Sequence, residues 1–342
     1  MTPILSLVGE SLVSKGLGGD QGGASQMSGF PIVKRYAICL TRINPTFARR
    51  TFFFTPRTRL PQPEAYVSLL ERIWIACVGG MASSLAQACW YVLCASTGMI
   101  VAYVWIRKRL GRGPIAKKPL SRRQINWEIL CSIRTLVIFG IAGSFMTFAA
   151  FSGWTRVYWQ FADYGWGWFF LSVPVMILLH DTYFYWTHRL MHMRRFFRRF
   201  HRVHHLSVSP SPWSTYSCNV GEALLLFGIF PLILFTIPVH PRALLLFMAW
   251  QVAFSVLTHY GYELFPRWFL ASWAGRLLIS PTYHALHHES FHSNFGLYFS
   301  FWDRCMGTDH SGYAERFQRA TIKLGRLDLP TAGGHLGRVE DE

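Results

Sequence analysis

The sequence predicts an all-α protein: a multi-span helical membrane protein with about four transmembrane helices. Three observations carry this. Apolar runs long enough to cross a bilayer recur along the 342 residues. Hydrophobic residues make up 51% of the chain and charged ones only 15%, against about 25% charged in an ordinary soluble domain. Arginine and lysine cluster beside the apolar runs, as cytoplasmic loops of membrane proteins do.

Residues 1–72 form a flexible, basic N-terminal extension. Gly16, Gly18, Gly19, Gly22 and Gly23 loosen its start, and Arg49, Arg50, Arg57 and Arg59 charge its second half. No apolar segment follows those charges in the way a secretory leader requires. The membrane-embedded domain spans 73–310, and 311–342 is a C-terminal tail.

The first apolar run extends from Ile73 to Ile106. A bilayer needs about 20 such residues, which places the span at about 84–106, stopped by Arg107, Lys108 and Arg109. The following loop holds Arg112, Lys117, Lys118, Arg122 and Arg123 and no acid, a cytoplasmic signature. A second span covers about 129–151, with Arg134 able to snorkel from its cytoplasmic end. Trp154, Tyr158, Trp159, Tyr164, Trp166 and Trp168 then mark the opposite interface. The third span, about 169–187, returns to the cytoplasmic side, where Arg189, Arg194, Arg195, Arg198, Arg199 and Arg202 gather. Residues 222–259 read as an apolar hairpin, tilted or partly inserted, broken at Ile237-Pro238-Val239-His240-Pro241. An odd number of crossings before the first basic loop puts a basic 1–72 on the wrong side. A start at Met81, with the short neutral leader Met81-Ala82-Ser83-Ser84, removes the conflict; native peptides from 1–80 would refute it.

The net charge of +17 does not indicate nucleic-acid binding, because it sits beside apolar runs and no recognition motif accompanies it. The seven cysteines include no C-x-x-C pair. Cys89, Cys94 and Cys131 lie inside apolar runs and read as small buried hydrophobes.

The chemistry lies in the histidines. His188-x3-His192, His201-x2-His204-His205 and His284-x2-His287-His288 use the i, i+3, i+4 spacing that puts side chains on one helix face. With 14 histidines in the chain, one H-x-x-H-H is expected roughly 0.02 times by chance. Two of them, plus an H-x-x-x-H on the same membrane face, indicate a metal site. Imidazole suits zinc, copper, iron and nickel alike, but a structural zinc takes four ligands, and eight or nine imidazoles suit two metals. The expected feature is thus a cytoplasm-facing, histidine-rich di-metal site under an apolar bundle. There a lipid could meet iron and O2. No dinucleotide fingerprint or haem-attachment motif is present, so electrons come from a separate donor. The arginine-rich face at 189–202 could dock an acidic one or face anionic lipid.

The stretch His180-Asp-Thr-Tyr-Phe-Tyr-Trp-Thr-His188-Arg-Leu-Met-His192 resembles the first box of the sterol desaturase / fatty acid hydroxylase superfamily. His201-Arg-Val-His204-His205 resembles its second. His284-Ala-Leu-His287-His288, continuing through Asn294-Phe295-Gly296 to Trp302-Asp303-Arg304, resembles its third. The likeness covers about 125–310. It implies a membrane-histidine di-iron oxidoreductase that uses O2 to hydroxylate or desaturate a lipid at an unactivated C–H bond. Two Fe ions are the implied cofactor, replaced by Zn in some purified preparations. The implied donor is a cytochrome b5 or ferredoxin with its reductase. The implied ligands are the eight box histidines, His259 within His259-Tyr-Gly-Tyr-Glu263 as a ninth, and His180 as a ligand or a residue supporting one. Asp181 could orient a ligand imidazole or pair with an arginine. His292 reads as surface or supporting, and neither His310 nor His240 belongs to the set. Glu222 opens an apolar helix, where an acid suits the N-terminus, with no catalytic role indicated.

Two other classes compete: a zinc-binding membrane transporter or sensor, and a structural scaffold with degenerate boxes. The intact boxes argue against the scaffold. Substrate identity stays open among sterol, fatty-acyl, sphingolipid, ether-lipid and carotenoid classes. The membrane is the endoplasmic reticulum or a bacterial inner membrane.

Overall fold

The computed structural model describes residues 68–116 and 118–322. Apart from Ser68–Arg72, the basic extension lies outside these residues. Among the described residues the structure is helical, with isolated bridges that include Val157 with Val239 and Leu278 with Phe299.

Helix α1 (Leu69–Ile100) starts at a capping box. The Ser68 hydroxyl accepts from the Glu71 amide, and the Glu71 carboxylate accepts from the Ser68 N–H at 2.7 Å, so two orphan donors are satisfied reciprocally. The helix runs through Met81 and continues as a π-helical segment, Val101–Arg109, closed by Arg107, Lys108 and Arg109. The rod is 41 residues long and begins well before residue 84. Helix α2 (Arg122–Phe151) is capped by Ser121 and returns antiparallel. The two helices touch through small residues. A Cβ on Gly80 would lie 1.9 Å from Ser144 Oγ, and one on Gly140 would lie 2.5 Å from Ser84 Oγ. Gly80-x3-Ser84 and Gly140-x3-Ser144 thus face each other, the pattern that lets helix backbones approach in lipid. The opposite face of α2 presents Leu130, Ile133, Val137, Ile141 and Phe145, all exposed at i, i+3/i+4 spacing. A contiguous apolar stripe of that kind needs a lipid covering.

Helix α3 (Gly165–Met191) descends from the aromatic far end, where Trp154 and Trp166 are exposed. After it come the short α4 (Arg194–Phe200) and α5 (Arg202–His205). The apolar hairpin is α6 (Val220–Phe227) and α7 (Ile229–Thr236), then α8 (Pro241–Thr258). His240 caps α8 by accepting from the Arg242 amide at 3.1 Å and stacks on Phe161 at 4.3 Å, at the end remote from the other histidines. Four helical segments, Leu69–Arg109, Arg122–Phe151, Gly165–Met191 and Pro241–Thr258, are long and apolar enough to cross a membrane. The protein is a multi-pass integral membrane protein.

Helices α9 (Trp273–Leu277), α10 (Pro281–Ser290), α11 (Phe301–Met306) and α12 (Tyr313–Ala320) cap one end of the bundle. Helix α12 falls within the expected tail. Its Phe317 is fully buried, and Arg316 pairs with Glu289 at 2.6 Å. Residues 323–342 lie outside the described set. The Arg134 guanidinium donates to the Cys218 carbonyl. The cysteines named above are free thiols, but only Cys131 is buried; Cys94 is half-buried, and Cys89 lies on an exposed face.

Candidate metal centre

Every histidine box arrives at the same end of the bundle. Helix α3 ends there at Met191, α4 and α5 fold beneath it, α8 ends there at Thr258, and α10 lies across it. His188, His192, His201, His205 and His287 converge as one group. His204, His259, His284 and His288 converge as a second. The rings of His205 and His288, one from each group, are 4.7 Å apart, so the groups abut.

The hydrogen bonds set which nitrogen faces inward. His188 Nδ1 meets the Phe295 carbonyl at 2.9 Å, His201 Nδ1 meets Glu222 at 2.7 Å, His259 Nδ1 meets the Ser255 carbonyl at 2.7 Å, and His287 Nδ1 meets the Ser293 carbonyl at 2.7 Å. An Nδ1–H donating outward leaves the lone pair on Nε2. Across the set Nε2 atoms approach one another: 2.9 Å between His188 and His201, 2.9 Å between His284 and His259, 3.4 Å between His259 and His204. His205–His192 and His288–His284 approach to 3.1 Å through the same atoms. His287 Nε2 is buried with no partner.

Facing lone pairs repel unless a cation lies between them. At a metal–nitrogen distance of about 2.1 Å, neighbouring ligand nitrogens lie about 3.0 Å apart in an octahedron and about 3.4 Å apart in a tetrahedron. The observed separations fall on those edges, so the donor set fits two metal ions. Burial holds His192 down to about 2 and His259 down to about 4, and keeps His201, His204, His205, His284, His287 and His288 well below the ordinary imidazole value. Neutral imidazole is the form a metal binds.

His180 is in neither group. Eight residues of helix carry it about 12 Å from His188, and its Nδ1 pairs with the Tyr298 hydroxyl at 2.9 Å. Asp181 orients no imidazole and pairs with no arginine. It accepts from the Tyr298 and Phe299 amides at 2.8 and 3.1 Å, holding that loop against α3. His292 and His310 join neither group.

Three buried acids brace the histidine groups. Glu222, on α6, takes His201 Nδ1. Asp303 accepts from the Phe295 and Gly296 amides at 2.9 and 2.8 Å and so holds the carbonyl that orients His188. Gly296 must be glycine, since a Cβ would sit 2.4 Å from the Phe299 carbonyl oxygen. Glu263 accepts from the amide and hydroxyl of Thr282 at 3.1 and 2.6 Å, anchoring α10 and the third box. Gly261, at φ +71 with its Cβ position 2.6 Å from the Pro210 carbonyl oxygen, makes the turn between His259 and Glu263 possible. The Asn294–Asp303 signature could have pointed to Asp303. Glu222 carries no local signal.

Residues 173–308 match the fatty acid hydroxylase family. This stretch runs from α3 to the turn after α11, and it carries the superfamily resemblance read from the boxes. The chain is 25% identical to a Delta(7)-sterol 5(6)-desaturase of Gibberella zeae over 57% of this chain and 58% of that protein. It is 26% identical to a C-4 methylsterol oxidase of Schizosaccharomyces pombe over 80% of this chain and 94% of that protein. Mouse (Mus musculus) lathosterol oxidase is 26% identical over 55% of this chain and 62% of that protein. The chain therefore spans about 60% of the length of the desaturase and the lathosterol oxidase it matches. No solved structure matches it.

Proposed function

We propose that this protein is an O2-dependent di-iron oxidoreductase that hydroxylates or desaturates a lipid at an unactivated C–H bond. The observation that supports it most is the pair of imidazole groups, five and four strong, with Nε2 atoms at coordination-edge spacing beneath an apolar bundle. Relatives named as sterol desaturases and methylsterol oxidases agree with a lipid substrate. His188, His192, His201, His205 and His287 would hold one iron, and His204, His259, His284 and His288 the other. Two irons supply the power to activate O2 for attack on a C–H bond. The chain's part is to fix the imidazoles, keep water out and position the carbon. Glu222 and the Phe295, Ser255 and Ser293 carbonyls do the first. The cavity beside the histidines, walled by Phe184, Leu226, Ile229 and Phe230, does the rest.

Either reaction needs two electrons for each O2, supplied by an external donor such as a cytochrome b5 or ferredoxin. Arg194, Arg195, Arg198, Arg199 and Arg202 are exposed on α4 and the start of α5, between His192 and His201. They offer a basic surface for an acidic donor next to the metal ligands. The same charge agrees with a cytoplasmic position for this end. Metal clustering at one end of the bundle argues against a transporter, which needs ligands along a path through it.

The test is comparative lipidomics of cells expressing the wild-type chain and a His204→Ala chain. A lipid gaining the mass of one oxygen indicates hydroxylation, and one losing two hydrogens indicates desaturation. An unchanged lipid profile, with zinc as the sole bound metal in membranes from iron-replete cells, would reject the proposal.

A further inference from the structure

Two cavities meet inside the bundle. An inner one, of about 50 Å³, is lined by His201, His204, His259 and His284 together with Tyr216 and Gln251. An outer one, of about 320 Å³, lies between α1, α2, α7 and α8. Phe139 and Phe230 belong to the walls of both, so the two cavities adjoin across these two rings.

The outer walls are mostly apolar, and two of their hydroxyls are spent on their own helices. Ser84 donates to the Gly80 carbonyl at 2.8 Å, and Thr147 to the Gly143 carbonyl at 2.9 Å. Gln87 differs. It lies within a membrane span, is 8% exposed, and lines the outer cavity. Its amide donates to the Tyr216 hydroxyl at 3.2 Å, and that hydroxyl donates to Gln251 Oε1 at 3.2 Å. A primary amide offers two N–H donors and a two-lone-pair acceptor. The chain of bonds uses one donor of Gln87 and one lone pair of Gln251. A carbonyl on one side of the junction and N–H groups on the other thus retain bonding capacity.

Amide groups buried among lipid-embedded helices are costly unless they are paired, and they mark functional sites. A hydroxyl, with one donor and one acceptor, is the group that complements a free amide carbonyl beside a free amide N–H. The inner cavity has room for only a few carbon atoms beyond it.

Resting on the assignment of the histidine groups as the oxidation centre, we propose that Gln87, Tyr216 and Gln251 form the specificity-determining contact for a free hydroxyl on the lipid. The lipid's apolar body fills the outer cavity. The carbon presented to the metals lies within a few bonds of that hydroxyl.

The experiment measures binding to the full chain in nanodiscs, with pairs of probes that differ only in the hydroxyl: lathosterol against its 3-deoxy counterpart, and 1-hexadecanol against hexadecane. At least one hydroxylated probe should bind about ten-fold or more tighter than its partner, as one well-made buried hydrogen bond implies. Gln87→Met and Gln251→Met, which keep length and lose the amide, should bring that ratio to about one while metal content is unchanged. Equal affinity within every pair overturns the proposal, as does a variant that weakens both members of a pair equally, the result expected of a purely structural tie. If a variant loses its metals, the wild-type ratio decides alone. Lipid oxidation without hydroxyl preference rejects this contact and leaves the oxidoreductase assignment standing. Hydroxyl preference without any lipid oxidation does the reverse.

Discussion

Glu222 bonds the His201 imidazole, 21 residues away in sequence. Carboxylates in that position fix ring orientation and raise ligand basicity, and their loss costs about 10–100-fold in metal affinity. Glu222→Ala should therefore weaken metal binding by about that factor, measured by competition with a chelator. Glu222→Gln, which keeps an acceptor oxygen at the same place, should lose less. His287→Ala and His204→Ala each remove a ligand from a different group. Each should lower the metal content of the purified chain from about two ions toward one while membrane insertion is unchanged, and each should abolish lipid oxidation. The histidines also set a pH dependence. Burial holds their folded-state values below the unfolded value of about 6.5, down to about 4 for His259. As pH falls below about 6.5 the unfolded chain takes up protons first, so the metal-free fold loses stability across the window from about 6.5 to 4. Melting curves of the metal-free protein should be flat between pH 8 and 7 and fall from pH 6.5 downward.

At the scale of elements, the α1–α2 seam and the loop after α10 are the exacting places. Gly80 packs so closely on Ser144 that even a methyl group does not fit. Gly80→Leu should splay the pair and distort the outer cavity that Gly80 lines. The melting temperature in detergent should drop while the histidine groups still bind metal, since no ligand lies on α1 or α2. The loop at 294–303 behaves oppositely. Asp303 is fully buried and gathers two backbone amides and the Thr308 hydroxyl. Asp303→Ala leaves those donors unpaired at about 1–3 kcal/mol each and frees the carbonyl that orients His188. The five-histidine group should therefore lose metal before the four-histidine group, visible as two separated steps in chelator titration.

For the whole molecule, charge and chemistry share one end. The exposed arginines of α4 and α5 lie beside the histidine groups, and the apolar spans extend away from them. If an acidic donor docks there, turnover supported by it should fall as ionic strength rises. Arg198→Glu with Arg199→Glu should raise the donor concentration needed for half-maximal rate about ten-fold or more, while a small artificial reductant supports the variant as well as the wild type. Equal rates with the protein donor would remove this surface from the electron path.

The spans, their order and the meeting of three histidine boxes were legible in the chain itself. Apolar length, positive charge and i, i+3, i+4 spacing are local signals that survive without tertiary contacts. The same locality explains what was left open. His180 shares the helix face of His188, yet it lies two turns away, joins neither group and pairs with Tyr298. Asp181 stands next to His180, but its carboxylate turns to the backbone of residues 298–299. Arg134 reads as interfacial from its place in the span, but its partner carbonyl on Cys218 lies 84 positions on and leaves no local signal. The division of nine imidazoles into five and four, the placing of Glu222, Glu263 and Asp303 behind them, and the meeting of Gln87 with Tyr216 and Gln251 were decided by the tertiary structure. Each depends on helices remote in sequence packing side by side. Composition and spacing specify which residues can bind metal and which helices can cross a membrane. Only the packing of those helices determines which nitrogens converge and where a lipid could reach them.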